Sequence, residues 1–245
     1  MDGLLLAAMT VVGLTGVMFG MTGFGFALIS VPPLLLLYEP DTVVAVTIGV
    51  TLLPSAMIVG AARRELEPGL ILKLLPGALP GLLVGAWILA IADPNILKVV
   101  AGALVTGYAV LLLLGVQPHF GAGGWATTLA GAASGTLATS TGLSAPPVVI
   151  LFQELRLPTN AFRASISAYF VVLNLIGFAI LLASGTLDRG DVVTTAALAP
   201  AALLGALAGN RLVRRLSASG FHRLTVFLLL LTGVMGIVTA LAAIV

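Results

Sequence analysis

At 245 residues, 60% hydrophobic and 8% charged, with a mean hydropathy of +1.20, the chain is too apolar to present a water-soluble surface and reads as an integral membrane protein. The absence of cysteine excludes disulfides, thiolate metal sites and a cysteine nucleophile. The formal net charge of +2 excludes little as a total, so the placement of the charges has to carry that information.

A helix needs about 20 apolar residues to cross a hydrocarbon layer ~30 Å thick. Eight stretches qualify: 3–37, 42–61, 69–91, 95–115, 122–152, 160–184, 191–210 and 221–245. The first has no cationic leader and no small-residue cleavage site, so it is expected to be retained. It is also interrupted. "GMTGFGFALISVPPLLLL", residues 20–37, sets glycines and two prolines into an apolar run, where Gly23 and Gly25 permit positive φ and close approach of a ligand to the backbone. Ser30 is expected to cap a returning half-helix, with Pro32 and Pro33 in its first turn. Segment 2 carries Thr47, Thr51 and Ser55; segments 3 and 4 are plain spans, with "PGLLVGA" starting at Pro80.

Segment 5 is interrupted like the first, at "TLATSTGLSAPP", with hydroxyls at Thr136, Thr139, Ser140, Thr141 and Ser144 and a second expected cap at Ser144. Each hydroxyl either meets a ligand or bonds back to the carbonyl four residues earlier and relieves the kink. Segment 6 has Arg163 near its start, then Ser165, Ser167 and Asn174; segment 7 has Thr194, Thr195 and "PAALLGA" from Pro200. Arg163 either draws an anion into a cytoplasmic vestibule or marks the interface. The short loops leave no room for a soluble domain.

The two halves match about 115 residues apart: Gly16-x-x-x-Gly20 with Gly131-x-x-x-Gly135, Ser30-Val31-Pro32-Pro33 with Ser144-Ala145-Pro146-Pro147, and the two proline-led segments at Pro80 and Pro200. This predicts a duplication into repeats 1–117 and 118–245, each a broken or re-entrant helical hairpin followed by three transmembrane helices. Charge fixes their orientation. If every segment crossed once, Arg63, Arg64, Lys73 and Arg189 would oppose Lys98, Arg156, Arg163, Arg211, Arg214, Arg215 and Arg223. If segments 1 and 5 instead return to the side they enter, only Lys98 and Arg189 oppose the rest, as the positive-inside rule prefers. The fold expected is therefore an all-α polytopic membrane protein of two inverted repeats, with both termini outside. The Gly-x-x-x-Gly faces, including Gly81 to Gly85 and Gly205 to Gly209, serve either internal packing or a homodimer.

Non-helical backbone in lipid is tolerated only where protein or a water-filled cavity surrounds it, so both breaks should face inward. There, half-helix N-termini offer unpaired N–H groups and the hydroxyls add donors without negative charge, a chemistry that suits an anion. The candidate substrate-binding set is Thr22, Gly23, Phe24, Gly25, Ser30, Thr47, Thr51, Thr139, Ser140, Thr141, Ser144 and Asn174. All carboxylates sit at or near segment ends, and His119 and His222 lie on loops, so neither a proton-relay acid nor a metal site is expected in the membrane centre. A hydrolase using Ser140 or Ser144 would lack a base. No nucleotide-binding Gly-x-x-x-x-Gly-Lys occurs, and no cofactor or nucleic acid is expected.

Taken together, "TGFGFALISVPPLLLL", "YEPDTVVAVT", "GAARRELEPG" and "PGLLVGAWIL", with their second-half counterparts "STGLSAPPVVILFQ" and "RLPTNAFRASISAYF", resemble the TauE/SafE family of sulfite exporters over essentially the whole chain. In that family the first break commonly reads glycine-x-glycine-glycine-glycine, where this chain has Gly23-Phe24-Gly25-Phe26-Ala27. The resemblance implies a bacterial inner-membrane carrier of sulfite, organosulfonates or related sulfur anions, usually working outward. The expectation is a secondary transporter that exports a small sulfur oxyanion by alternating access. The alternatives are an importer of a related anion and a membrane subunit that moves nothing itself.

Overall fold

The structure, a computed structural model, describes residues 2–114, 123–155 and 157–212. The eighth predicted segment, both histidines, Arg156, Arg214, Arg215 and Arg223 lie outside the described residues. Those described form helices without strands: α1 (Asp2–Thr22), α2 (Phe26–Leu34), α3 (Pro40–Val50), α4 (Leu52–Ala61), α5 (Pro68–Ile91), α6 (Pro94–Leu113), α7 (Gly124–Thr141), α8 (Ala145–Glu154), α9 (Thr159–Ala183) and α10 (Arg189–Leu212). Among the described residues six stretches are long and apolar enough to span a membrane: α1, α3 with α4, α5, α6, α9 and α10. α3 and α4 are one span bent at Thr51, because Pro54 has no N–H to offer and its ring crowds the Val50 carbonyl.

Contacts sort the helix termini into two ends of the bundle. At one end the Glu67 N–H donates to Ser165 Oγ (2.9 Å), Asn160 donates to Glu65 (3.3 Å), and Arg163 donates to the Gly20 carbonyl. This arginine-rich end joins the last turn of α1, the start of α5, the start of α9 and the end of α10. At the opposite end Thr42 donates to Asp191 (2.6 Å) and Lys98 pairs with Glu39 (3.3 Å), joining the starts of α3, α6 and α10.

Glycine faces set the helix directions. Gly77, Gly81 and Gly85 of α5 press on the backbone of Thr128, Ala132 and Thr136 of α7 in the same order, so the two helices run parallel. Gly16 and Gly20 of α1 meet Ala202 and Ala206 of α10, and Gly205 and Gly209 meet Gly13 and Val17, again parallel. α1 therefore runs toward the arginine-rich end and α7 away from it. Each returning helix carries the chain back, so both interrupted segments re-emerge at the end where they began. The Gly81–Gly85 and Gly205–Gly209 faces are filled by backbone of the same chain. Of the two uses offered for these faces, internal packing is the one the structure shows: lipid offers no hydrophobic drive between helices, and close backbone contact takes its place.

The centre of the bundle is α3–α4 and α9, with 61% and 50% of their spanning windows buried against 33% for α6 and for α10. α2 lies within protein on nearly every side, with eight of its nine residues buried. Its frayed ends thus avoid lipid. Large side chains such as Leu14, Leu72, Leu83 and Leu204 point outward, as a lipid-facing surface requires.

Candidate functional site

The first break is built by two left-handed glycines. α1 ends at Thr22, whose hydroxyl donates to the Met18 carbonyl (2.9 Å) and accepts from the Phe24 N–H (3.1 Å). Gly23 has φ +80° and Gly25, the residue preceding α2, has φ +86°; most side chains are unfavourable in this region. The two positions differ in their surroundings. A Cβ on Gly23 would lie 3.2 Å from Ser167 Oγ and 3.3 Å from the Arg163 carbonyl, whereas one on Gly25 would meet nothing within 4 Å. Phe24 packs edge-on against Phe162 of α9.

At the second break one glycine suffices. Gly142, φ +78°, caps α7 through its N–H to the Ala138 carbonyl (3.2 Å), and Ser144 precedes α8 without making a side-chain cap bond. Ser134 of α7 donates to the Ser144 carbonyl (2.7 Å) and holds the return in place. A Cβ on Gly142 would sit 3.2 Å from Thr47 Cβ, so this break packs on α3 as the first packs on α9.

The two breaks open onto one cavity. Gly25, Phe26 and Ala27 line it from the start of α2, Gly142, Ser144 and Ala145 from the start of α8, Thr47 and Thr51 from the middle of the α3–α4 span, and Phe170 and Asn174 from the middle of α9. Its volume is about 20 Å³, room for a single water, so an oxyanion requires α2 or α8 to move. Asn174 is 5% exposed; its Nδ2 donates to Thr51 Oγ1 (3.0 Å) and its Oδ1 has no partner. The amides of Phe26 and Ala27, in the first turn of α2, have no acceptor within their own helix. The start of α8 is poorer in donors, because Pro146 and Pro147 follow Ala145 and contribute none. The two half-helices are therefore unequal: α2 brings amides and a dipole, α8 mainly the dipole and the Ser144 hydroxyl.

Several predicted residues lie elsewhere. Thr139 donates to the Leu82 carbonyl of α5 (2.7 Å), while Ser140 and Thr141 bond back to Thr136 and Leu137 (2.7 and 3.1 Å), the kink-relieving alternative. Ser30 does not cap α2. It sits in the second turn, fully buried, with its hydroxyl unpartnered, and Gly25 holds the capping position. Pro32 and Pro33 accordingly lie at the far end of α2, whereas Pro146 and Pro147 lie at the start of α8. The match between Ser-Val-Pro-Pro and Ser-Ala-Pro-Pro is thus not an equivalence in three dimensions: a proline pair is tolerated both in a first turn and where a short helix unwinds. Gly142 and Phe170 were missed as lining residues. A helix-terminating glycine marks the first, and the seven-residue spacing from Arg163 marks the second.

Arg163 is half-buried near the start of α9. Its Nη2 donates to the Gly20 carbonyl (2.6 Å) and to Asn210 Oδ1 of α10 (3.0 Å), and its Nε is buried without a partner. Gly20 is in the last turn of α1, where carbonyls lack intrahelical donors, and the Phe24 N–H that would have served it goes to Thr22 instead.

The profile of the "Sulfite exporter TauE/SafE" family matches residues 8–236. The chain belongs to this family. The TauE/SafE proteins are membrane transporters, not enzymes, and the six apolar spans described above agree with that. Among curated proteins, this TauE/SafE member is 27% identical over 184 residues to the "Probable inner membrane transporter protein TsaS" of Comamonas testosteroni, covering 74% of this chain and 77% of that one. No solved structure matches the chain.

Proposed function

We propose that this protein is a secondary transporter of the inner membrane that exports a small sulfur-containing anion, such as sulfite or an organosulfonate. The anion is held where the N-termini of α2 and α8 share a cavity. The observation that carries this reading is that the caps of both half-helices, Gly25 and Ser144, line the same space together with Asn174. Unpaired amides and two positive dipole ends bind an oxyanion without a fixed base. Gly25, Thr47, Thr51, Ser144 and Asn174 contact it. Thr22, Gly23, Phe24, Ser30, Thr139, Ser140 and Thr141 frame the breaks.

The cavity in its closed form fits one water, so transport requires the tips to part, first toward one end and then the other. Two features support an inverted duplication, 1–117 and 118–245, as the basis for this. The breaks enter from opposite ends of the bundle, and α5 packs on α7 as α10 packs on α1, through glycines in both cases. Both termini lie outside on this reading, with the arginine-rich end in the cytoplasm. A membrane potential negative inside drives an anion outward by about 2.3 kcal/mol per charge per 100 mV, so export needs no coupling ion.

The test is flux in proteoliposomes holding labelled sulfite, sulfate or methanesulfonate under imposed potentials of either sign. Sulfite or methanesulfonate should move toward the positive side faster than in protein-free vesicles. Equal rates with and without protein, for every anion and potential, would contradict the reading.

A further inference from the structure

Arg163 is a half-buried cation with no counterion among the described residues. The one ion pair among the described residues joins Lys98 to Glu39 at the other end of the bundle. Its two hydrogen bonds go to neutral oxygens on α1 and α10, and a third donor, Nε, goes unused inside the protein. Taking a guanidinium partly out of water with only neutral acceptors is costly, and an oxyanion is the acceptor that its fork fits best. Arg163 also stands on a particular line. Arg163, Ser167, Phe170 and Asn174 are spaced by four, three and four residues, so they form one stripe of α9. That stripe runs from the arginine-rich end, past the first break, to the cavity, with Ser167 against Gly23 and with Phe170 and Asn174 in the lining.

We infer that Arg163 is the first oxyanion station on the arginine-rich side and, at the same time, the latch of the gate there. In the closed form it ties the last turn of α1, which carries the first break, to α9 and α10. An incoming oxyanion takes over the guanidinium donors, Gly20 and Asn210 are released, and the break is free to swing away from Ser167. Binding and opening are thereby the same event, and the anion then moves along the stripe to the amides of α2. The inference rests on the transport reading above for its ligand, but the latch has a readout of its own.

Because the chain has no cysteine, a single cysteine placed at cavity-lining Ala27 (A27C) can be modified with a membrane-impermeant maleimide added from either face of oriented vesicles. In that background Asn210→Ala removes one strut and Arg163→Gln removes the charge. Each should raise the labelling rate from the arginine-rich face at least fivefold and leave the rate from the other face unchanged. In flux assays with methanesulfonate, Arg163→Gln should raise KM about tenfold at the arginine-rich face and leave KM at the opposite face unaltered. Labelling that stays at the parent rate in both variants, or a KM that rises equally at both faces, would overturn the proposal. Absence of flux in the unmodified protein would instead remove the transport reading and the anion's part in release, while the labelling rates would still decide whether Arg163 is a latch.

Discussion

Gly25 and Gly142 share a left-handed backbone but differ in what stands beside them. At Gly142 an added Cβ crowds Thr47, so the residue is fixed by packing as well as by φ. At Gly25 the same Cβ would meet open space, so the constraint is the backbone alone, at about 1–2 kcal/mol for a non-glycine residue. Gly25→Val should accordingly insert and purify normally yet abolish flux, because its branched side chain would occupy the space next to the amides of α2. Wild-type flux in that variant would remove Gly25 from the site. Asn174 contributes differently, as the one amide side chain in the lining, with an unpaired oxygen and a nitrogen that Thr51 holds. Asn174→Leu should weaken methanesulfonate binding about tenfold, the worth of one buried hydrogen bond, as measured by KM in proteoliposomes. At this scale the sequence revealed the residue types and not their partners. Thr47, Thr51, Ser144 and Asn174 line one cavity, yet the Thr47 and Thr51 hydroxyls donate back to the Val43 and Thr47 carbonyls; whether a hydroxyl faces the cavity or its own helix depends on a rotamer, which neither glycine spacing nor composition encodes.

Helix pairing rests on glycine. In the α5–α7 and α1–α10 pairs the added Cβ of Gly81, Gly135 or Gly205 would overlap main-chain carbonyls, which cannot shift as a side-chain tip can. Gly135→Leu should lower the thermal midpoint of the detergent-solubilised protein sharply or prevent its recovery. Gly107→Leu, at a position where a Cβ meets nothing within 4 Å, should leave that midpoint within a few degrees of the parent. Similar losses in both would mean that these glycines act through intrinsic helix propensity and not through close packing. The spans were legible from hydropathy because each helix spends its length in one solvent. The breaks were legible because a glycine followed within a few residues by a proline pair has few other uses in an apolar run. The relation between the two returning helices was not legible from the proline pairs, since Pro32 and Pro146 occupy opposite ends of their helices.

Across the whole molecule, one end gathers Arg63, Arg64, Arg163 and Arg211 and the other holds Lys98 and Arg189. Trp125 at the start of α7 and Trp87 near the end of α5 are exposed at opposite ends, where aromatic rings prefer the bilayer interfaces. α1 begins at the arginine-poor end, so a reporter fused to the N-terminus should read as periplasmic; a cytoplasmic reading would reverse the orientation or break the hairpin topology. The unequal split of basic residues between the two ends is readable from the sequence, because it is a property of loops and helix ends and not of packing. The cavity's size was beyond reach, since it depends on how far two tips close. The most direct test of the central claim is the anomalous scattering of selenium in crystals grown with selenite, the heavier analogue of sulfite. The account predicts a peak within hydrogen-bonding reach of the first amides of α2, of Ser144 and of Asn174. A peak elsewhere in the spans, in protein that still transports selenite, would contradict it.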